Sequence, residues 1–272
     1  MSDHLQHVKN YYERNTKKFL KFGHNQGATA IHAALWPEGI QEVHDALNVA
    51  HQLVSDIIME REMPTEAVAD LGCGVGSALF YLANILEDDL KLYGLTLGTP
   101  IPKIPTDLSS RLRIIEGDFH HSNELLPPCD LAFCIEAIAH SNNIPLFLDS
   151  ASKLLNSSGT LVLIDDFVKH DQVPSSNLNC YRDHWLVPGV QPLQKVIHDA
   201  ESVGFKLVNS LNLTPWLRLN RPRDRLIRMT APLWGWTKQF SYYTKSLVGG
   251  DARQKCLISG ELNFMLLCFE KV

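Results

Sequence analysis

The stretch Ala69-Asp70-Leu71-Gly72-Cys73-Gly74-Val75-Gly76 constrains this chain more than any other. A short apolar run, Glu66 to Leu71, precedes it and a helical pattern, about Val75 to Leu86, follows, so it lies where a strand turns into a helix. Glycines at such a turn let the backbone bend sharply and approach a ligand, while the start of the helix offers free N–H donors. The spacing is G-x-G-x-G with an acid two positions before the first glycine. It differs from the dinucleotide fingerprint G-x-G-x-x-G, and the Lys-Ser/Thr pair of a P-loop is missing. A carboxylate beside the turn repels a pyrophosphate and suits a cationic or zwitterionic ligand.

Strand and helix patterns alternate after Pro64. Strands are predicted at Glu66 to Leu71, Leu90 to Leu97, Leu112 to Glu116, Asp130 to Ile135, Gly159 to Asp165, Phe205 to Leu211 and Glu261 to Glu270. Helices are predicted at Val75 to Leu86, Ile144 to Leu155 and Gln191 to Val203, after an N-terminal arm from about Leu5 to Phe22 and an amphipathic helix from Ile40 to Glu60. The strands are short and apolar, as strands covered by helices on both faces are. The pattern predicts an α/β, doubly wound, Rossmann-like seven-stranded sheet, with its last strand antiparallel and its ligand beyond the strand C-termini. Residues 1–62 are read as a helical arm and lid, residues 63–214 with 259–272 as the core, and residues 215–258 as a helical cap. The cap is long for a connection without a strand of its own, a length that usually has a function.

The formal net charge of −5 excludes the basic excess that a phosphate backbone demands, so no nucleic-acid partner is expected. Six cysteines without C-x-x-C spacing read as free thiols in a reducing compartment, and no metal site is expected. No run approaches the roughly 18 apolar residues of a membrane span. A cytoplasmic protein without an integral membrane segment is the expectation, and a homo-oligomer is compatible with it.

With these motifs the chain resembles the class I S-adenosylmethionine-dependent methyltransferases, whose first motif reads D-x-G-x-G-x-G. Gly94-Leu95-Thr96-Leu97 ends the second strand, where Thr96 stands in place of a ribose-binding acid, as in cyclopropane fatty-acid synthases. Glu116-Gly117-Asp118-Phe119 ends the third, where Asp118 corresponds to the residue that accepts from the adenine amino group and Phe119 to the one packing on its ring. Ser157-Ser158-Gly159-Thr160-Leu161 is the turn before the fifth. The segment Ile135-Glu136-Ala137-Ile138-Ala139-His140 and the arm Tyr11-Tyr12-Glu13-Arg14-Asn15-Thr16, with Phe19, Gly23, Ile31 and His32, are similar to sterol C-methyltransferases and, more loosely, tocopherol methyltransferases. Cyclopropane synthases have an acid directly before the His, where this chain has Ala139. The resemblance implies S-adenosylmethionine as cofactor, held by Tyr12, Asp70, Gly72, Gly74, Gly76, Thr96, Leu97, Asp118, Phe119 and Ile135.

Glu136 and His140 are four residues apart and can face one cleft, with Glu136 as general base or cation-stabilising carboxylate and His140 as its partner or the proton acceptor. Against this stand a purely hydrogen-bonding Glu136 and a structural His140. Asp165 and Asp166 are read as loop anchors more readily than as acceptor ligands, and His24 as non-catalytic. His32, Trp185 and Arg223 are assigned to the acceptor side. The arginines from Arg218 to Arg228 would either grip an anionic tail such as a diphosphate or form a solvated face paired with Asp224, and the second reading is preferred. The leading function is methyl transfer to a small, largely apolar natural product, with C-methylation of an alkene-containing terpenoid or sterol-like molecule ahead of N- or O-methylation of an alkaloid or phenol. A non-catalytic adenosyl-binding protein on the same fold is the alternative from another class.

Overall fold

The computed structural model describes residues 3–22, 30–98, 101–171, 173–222, 224–225, 228–229 and 242–272. Two helices, α1 (Asp3–Phe22) and α2 (Val43–Glu60), precede the sheet. The strands are β1 (Ala67–Leu71), β2 (Lys91–Thr96), β3 (Leu112–Glu116), β4 (Cys129–Ile135), β5 (Leu155–Val168), β6 (Phe205–Asn212) and β7 (Leu262–Lys271). Between them run α3 (Ser77–Ile85), α4 (Ser122–Leu125), α5 (Ile144–Leu154), α6 (Ser176–Trp185), α7 (Leu193–Ser202) and α8 (Tyr242–Ser259).

The strand order is β3-β2-β1-β4-β5-β7-β6, with β7 antiparallel to both its neighbours, as the sequence predicts. Alternation along each strand divides the core. Val162 and Ile164 face one apolar layer with α2, α3, α6 and α8, while Leu161 and Leu163 face a second with α5 and α7. In α2 the buried residues Leu47, Ala50, Val54 and Ile58 recur every three or four positions, so the helix lays one stripe on the sheet.

Chain direction across the sheet reverses between β1 and β4, which opens a crevice at their carboxyl ends. Polar caps set the helices around it. The Asn143 side chain accepts from Leu146 N at the start of α5, with Pro145 in the first turn, and Ser175 Oγ accepts from Leu178 N at the start of α6. The arm α1 crosses this end of the sheet. His4 Nε2 donates to His140 O at 2.9 Å, and Lys9 pairs with Glu116 at the end of β3.

The sequence reading missed α6 altogether and began β5 four residues late. Helix α6 buries only Leu178 and Tyr181, too thin a stripe to give a helical period. Trp234 and Trp236 of the expected cap lie outside the described residues.

Candidate active site

At the end of β1 the backbone turns through Gly72, Gly74 and Gly76, all with positive φ. Two of these glycines are required for different reasons. At Gly72 (φ 105°) a Cβ would collide with the Cβ of Ala137. At Gly74 (φ 54°) a Cβ would meet no atom of the described residues within 4 Å, and this backbone borders a cavity of about 130 Å³. Gly72, Gly74, Thr96, Leu97, Asp118, Phe119, Ile135 and Tyr12 all line that cavity, which α1 covers with Leu5 and Val8.

Asp118 is fixed by its neighbour. Its Oδ1 accepts from His120 N at 3.0 Å and from His120 Nδ1 at 2.6 Å, and His120 Nε2 contacts Ser141 Oγ at 2.8 Å. Burial pushes the Asp118 carboxyl up, but the His120 hydrogen bonds outweigh it and hold the pKa below the ordinary value. His120 therefore orients Asp118, a role the sequence reading did not give it.

Two of the expected cofactor residues, Asp70 and Gly76, line neither cavity. Asp70 lies inside β1, hydrogen-bonded in the sheet beside Gly94 and Phe133, and strand alternation turns its side chain into the layer of Val68. Burial pushes its pKa well above that of an ordinary carboxyl. Gly76 begins α3, and a Cβ there would press on Ile114 Cδ1 at 2.7 Å, so it serves packing.

A second cavity, of about 270 Å³, adjoins the first. Tyr12, Ile31, His32, Glu136 and His140 line both and form the shared wall. Its apolar lining includes Trp36, Trp185, Val187, Leu217 and Leu219. Trp185 is held by its indole N–H, which donates to Ser246 O of α8 at 2.8 Å.

Glu136 directly follows β4 and has φ 48°, a strained conformation for a residue with a long side chain. Its N–H donates to Ile164 O at 2.8 Å, and its Oε1 accepts from Ala33 N at 2.8 Å. Burial raises its pKa, while the Arg253 charge and the Ala33 N–H pull the other way. His140 donates from Nδ1 to Leu186 O at 2.9 Å, so its Nε2 accepts from Tyr12 Oη at 2.7 Å. Burial lowers the His140 pKa to about 4, against the Leu186 hydrogen bond, which keeps the ring neutral.

Behind the wall, His32 Nε2 meets Nε2 of the buried His51 at 2.8 Å. Burial, then the neighbouring His32, lowers the His51 pKa to about 2, and burial lowers that of His32. In the unfolded chain these imidazoles titrate near 6.5, so below that pH the unfolded state binds more protons and stability is lost as the pH is lowered. The raised carboxyls Asp70, Asp165 and Glu136 act in the opposite sense, because the folded state holds their protons longer. The diagnostic is therefore a difference. Between pH 6 and 4.5, the stability of the wild type relative to His51→Gln should fall by about 1.4 kcal/mol per pH unit in denaturant titrations. Parallel curves for the two proteins would refute the neutral buried pair.

Asp165 is an anchor. Its Oδ2 accepts from Ala139 N at 3.0 Å and its Oδ1 from Asp166 N at 2.8 Å. Asp166, buried beside it, receives Tyr181 Oη at 2.8 Å and a two-pronged pair from Arg253 of α8, Nε at 2.5 Å and Nη2 at 3.0 Å. Sequence reading did not single out Arg253, whose partner is 87 residues away.

Of the Arg218 to Arg228 run, Arg221 pairs with Asp224 at 3.1 Å, Arg228 with Asp251 at 2.8 Å, and the Arg218 guanidinium stacks 3.4 Å above the Trp36 ring. Arg223 and His24 lie outside the described residues. Among the described residues, no cluster of side chains has metal-ligand geometry, and no helix is long and apolar enough to cross a membrane.

Residues 69–163 match the model of a family described as a methyltransferase domain. That segment, β1 through most of β5, is a methyltransferase domain, and the chain is an enzyme of the methyltransferase class with S-adenosylmethionine as cofactor. The whole chain is also similar to a geranyl diphosphate C-methyltransferase from Streptomyces coelicolor A3(2), with 14% identity, 100% of this chain and 99% of that one covered, and a TM-score of 0.72. A putative sarcosine dimethylglycine methyltransferase from Galdieria sulphuraria is 16% identical over 96% of this chain and 98% of that one, with a TM-score of 0.70. The cyclase SpnF is 15% identical over 98% and 96%, also with a TM-score of 0.70. At these identities the likeness is one of fold. No curated protein matches the chain.

The residues present fit the cofactor. The open space at Gly74 accommodates a ligand against the backbone, Asp118 presents a fixed acceptor, and Phe119 gives a ring face to the same cavity.

Proposed function

We propose that the protein transfers a methyl group to carbon in a small, largely apolar, alkene-containing acceptor of terpenoid or sterol-like type, bound in the 270 Å³ cavity. One observation carries this reading. Glu136, half-buried and held in a left-handed backbone conformation, stands at the wall common to both cavities.

S-adenosylmethionine supplies an electrophilic methyl group, so the protein chiefly aligns the acceptor and excludes water. An alkene carbon that gains a methyl becomes cationic, and a base must take a proton from the adjacent carbon to restore the double bond. Glu136 is the group placed to stabilise that cation and accept the proton. Ala33 N–H fixes one of its oxygens, and the Arg253 charge favours its ionised form against burial. The rings of Tyr12 and Trp185 line the same space, and an aromatic lining tolerates positive charge. In this reading residues 1–62 serve as the lid and residues 215–258 as the acceptor-side cap. Support for the acceptor type comes from the apolar lining and from the resemblance of the Glu136 to His140 segment to sterol enzymes.

A second reading, O-methylation, is favoured by the Tyr12 Oη to His140 Nε2 hydrogen bond on the same wall, which could draw a proton from a hydroxyl acceptor. A screen with methyl-labelled cofactor over prenyl alcohols, prenyl diphosphates, sterols and phenols separates the two. Carbon methylation is expected, seen by mass and by the position of the label. Transfer only to oxygen, or no transfer to any class, would reject the proposal.

A further inference from the structure

The donors of Arg253 are not all used within the protein. Arg253 is 9% exposed and belongs to α8, with the rings of Trp185 and Phe264 centred 5.8 and 5.3 Å from its guanidinium carbon. Asp166 takes Nε and Nη2, and Tyr181 fills a further position on the same carboxylate. Among the described residues Nη1 has no hydrogen-bond partner, yet it is not among the fully enclosed unpaired atoms, so it borders the acceptor cavity that Arg253 lines. The nearby carboxylates hold the guanidinium in its charged form despite burial. A buried, charged N–H pair facing an apolar chamber is costly unless something accepts from it.

The sign of the surroundings limits what that partner is. Asp166 already neutralises the arginine, and Glu136 faces the same chamber with a second acid. The neighbouring arginine Arg221 is likewise paired, with Asp224. Beside Arg253 an added anion would meet the carboxylates of Asp166 and Glu136, while Arg218, the lining arginine without a carboxylate partner among the described residues, is stacked on Trp36. A neutral oxygen escapes that repulsion and can still accept from Nη1.

We infer that Arg253 is the polar anchor of the acceptor site and that it selects a neutral, oxygen-bearing acceptor, an alcohol or carbonyl compound, over an anionic one. This rests on the acceptor-cavity reading above and narrows its substrate class. Hydrocarbon bulk fills the space between Trp36, Trp185 and Leu217, and the single oxygen takes the Nη1 hydrogens. The anchor holds the acceptor's oxygen, not its reacting carbon, and acts by positioning.

The test is binding, so that it stands apart from turnover. Calorimetry on protein saturated with S-adenosylhomocysteine would compare geraniol, geranyl diphosphate and the parent hydrocarbon, with a sterol and a phenol as paired alcohol and deoxy compounds. At least one alcohol should bind ten-fold or more tightly than its deoxy partner, and geraniol more tightly than its diphosphate. Arg253→Lys keeps a cation beside Asp166 but shortens and narrows the donor set, and should abolish the alcohol preference while leaving the hydrocarbon unchanged. If removing the Asp166 partner geometry unfolds that variant, Arg253→Gln combined with Asp166→Asn, which leaves no buried charge, serves the same comparison. Tighter binding of the diphosphate, an equal affinity for alcohol and hydrocarbon, or no binding by any pair would overturn the inference. Failure of methyl transfer with an intact Arg253-dependent alcohol preference would instead reject only the reaction proposed above.

Discussion

Glu136→Gln is expected to lower kcat by about 10²-fold or more while S-adenosylmethionine affinity stays within a few-fold of wild type. The amide keeps an oxygen for the Ala33 N–H, so the local fold and the φ of 48° are preserved. What disappears is a base for the proton and a negative charge for the cation. The amide also relieves burial of a carboxylate, so the variant should be at least as stable as the wild type. A drop in activity accompanied by loss of stability would therefore point to a structural role. The measurement is single-turnover transfer with the best acceptor from the label screen, beside calorimetry for the cofactor. Wild-type turnover in the variant would remove Glu136 from the chemistry.

The acid at position 136 could be read from sequence because strand ends carry function in doubly wound sheets, and β4 is a plain apolar run whose end is visible. The same logic singled out Gly72, Gly74, Asp118 and Phe119, all within three residues of a strand end. Asp70 lies inside its strand rather than past its end. The motif suggests a ligand-facing acid, yet Val68 and Asp70 share one side of β1, so alternation alone already placed the carboxyl in the sheet's apolar layer.

Arg253 marks the opposite limit. Nothing near it in the chain announces its role, since Asp166 and Tyr181 come from β5 and α6, and only the packing of α8 on α6 brings them together. That packing depends on Gly249, where any Cβ would strike the Trp185 ring. Helix α6 itself could have been found from one signal, Ser175 as an N-cap three residues before Leu178. A buried ion pair between distant segments leaves no periodic trace, because its energetic reason is the neutralisation of one charge by another.

The second large effect concerns the cofactor. Gly74→Leu should reduce S-adenosylmethionine affinity by about 10²-fold or more at a stability cost of only about 1–2 kcal/mol, the usual penalty for a side chain in a left-handed conformation. Among the described residues no atom lies within 4 Å of the added Cβ, so they leave room for the substitution. The room is that of the 130 Å³ cavity, and a leucine there competes with the ligand for the same volume. Gly39 provides the matching control. Its φ of 91° also penalises a side chain and its Cβ would likewise meet nothing, but it borders neither cavity. Gly39→Leu should therefore show a similar stability loss with cofactor affinity unchanged. Gly72→Leu should differ from both, because its side chain would be driven into Ala137 and the turn itself would have to move. Thermal unfolding and calorimetric titration of the three variants measure these quantities separately. If Gly74→Leu binds the cofactor like wild type, the turn after β1 is not where the adenosyl ligand lies, and the placement of Glu136 opposite its methyl group loses its basis.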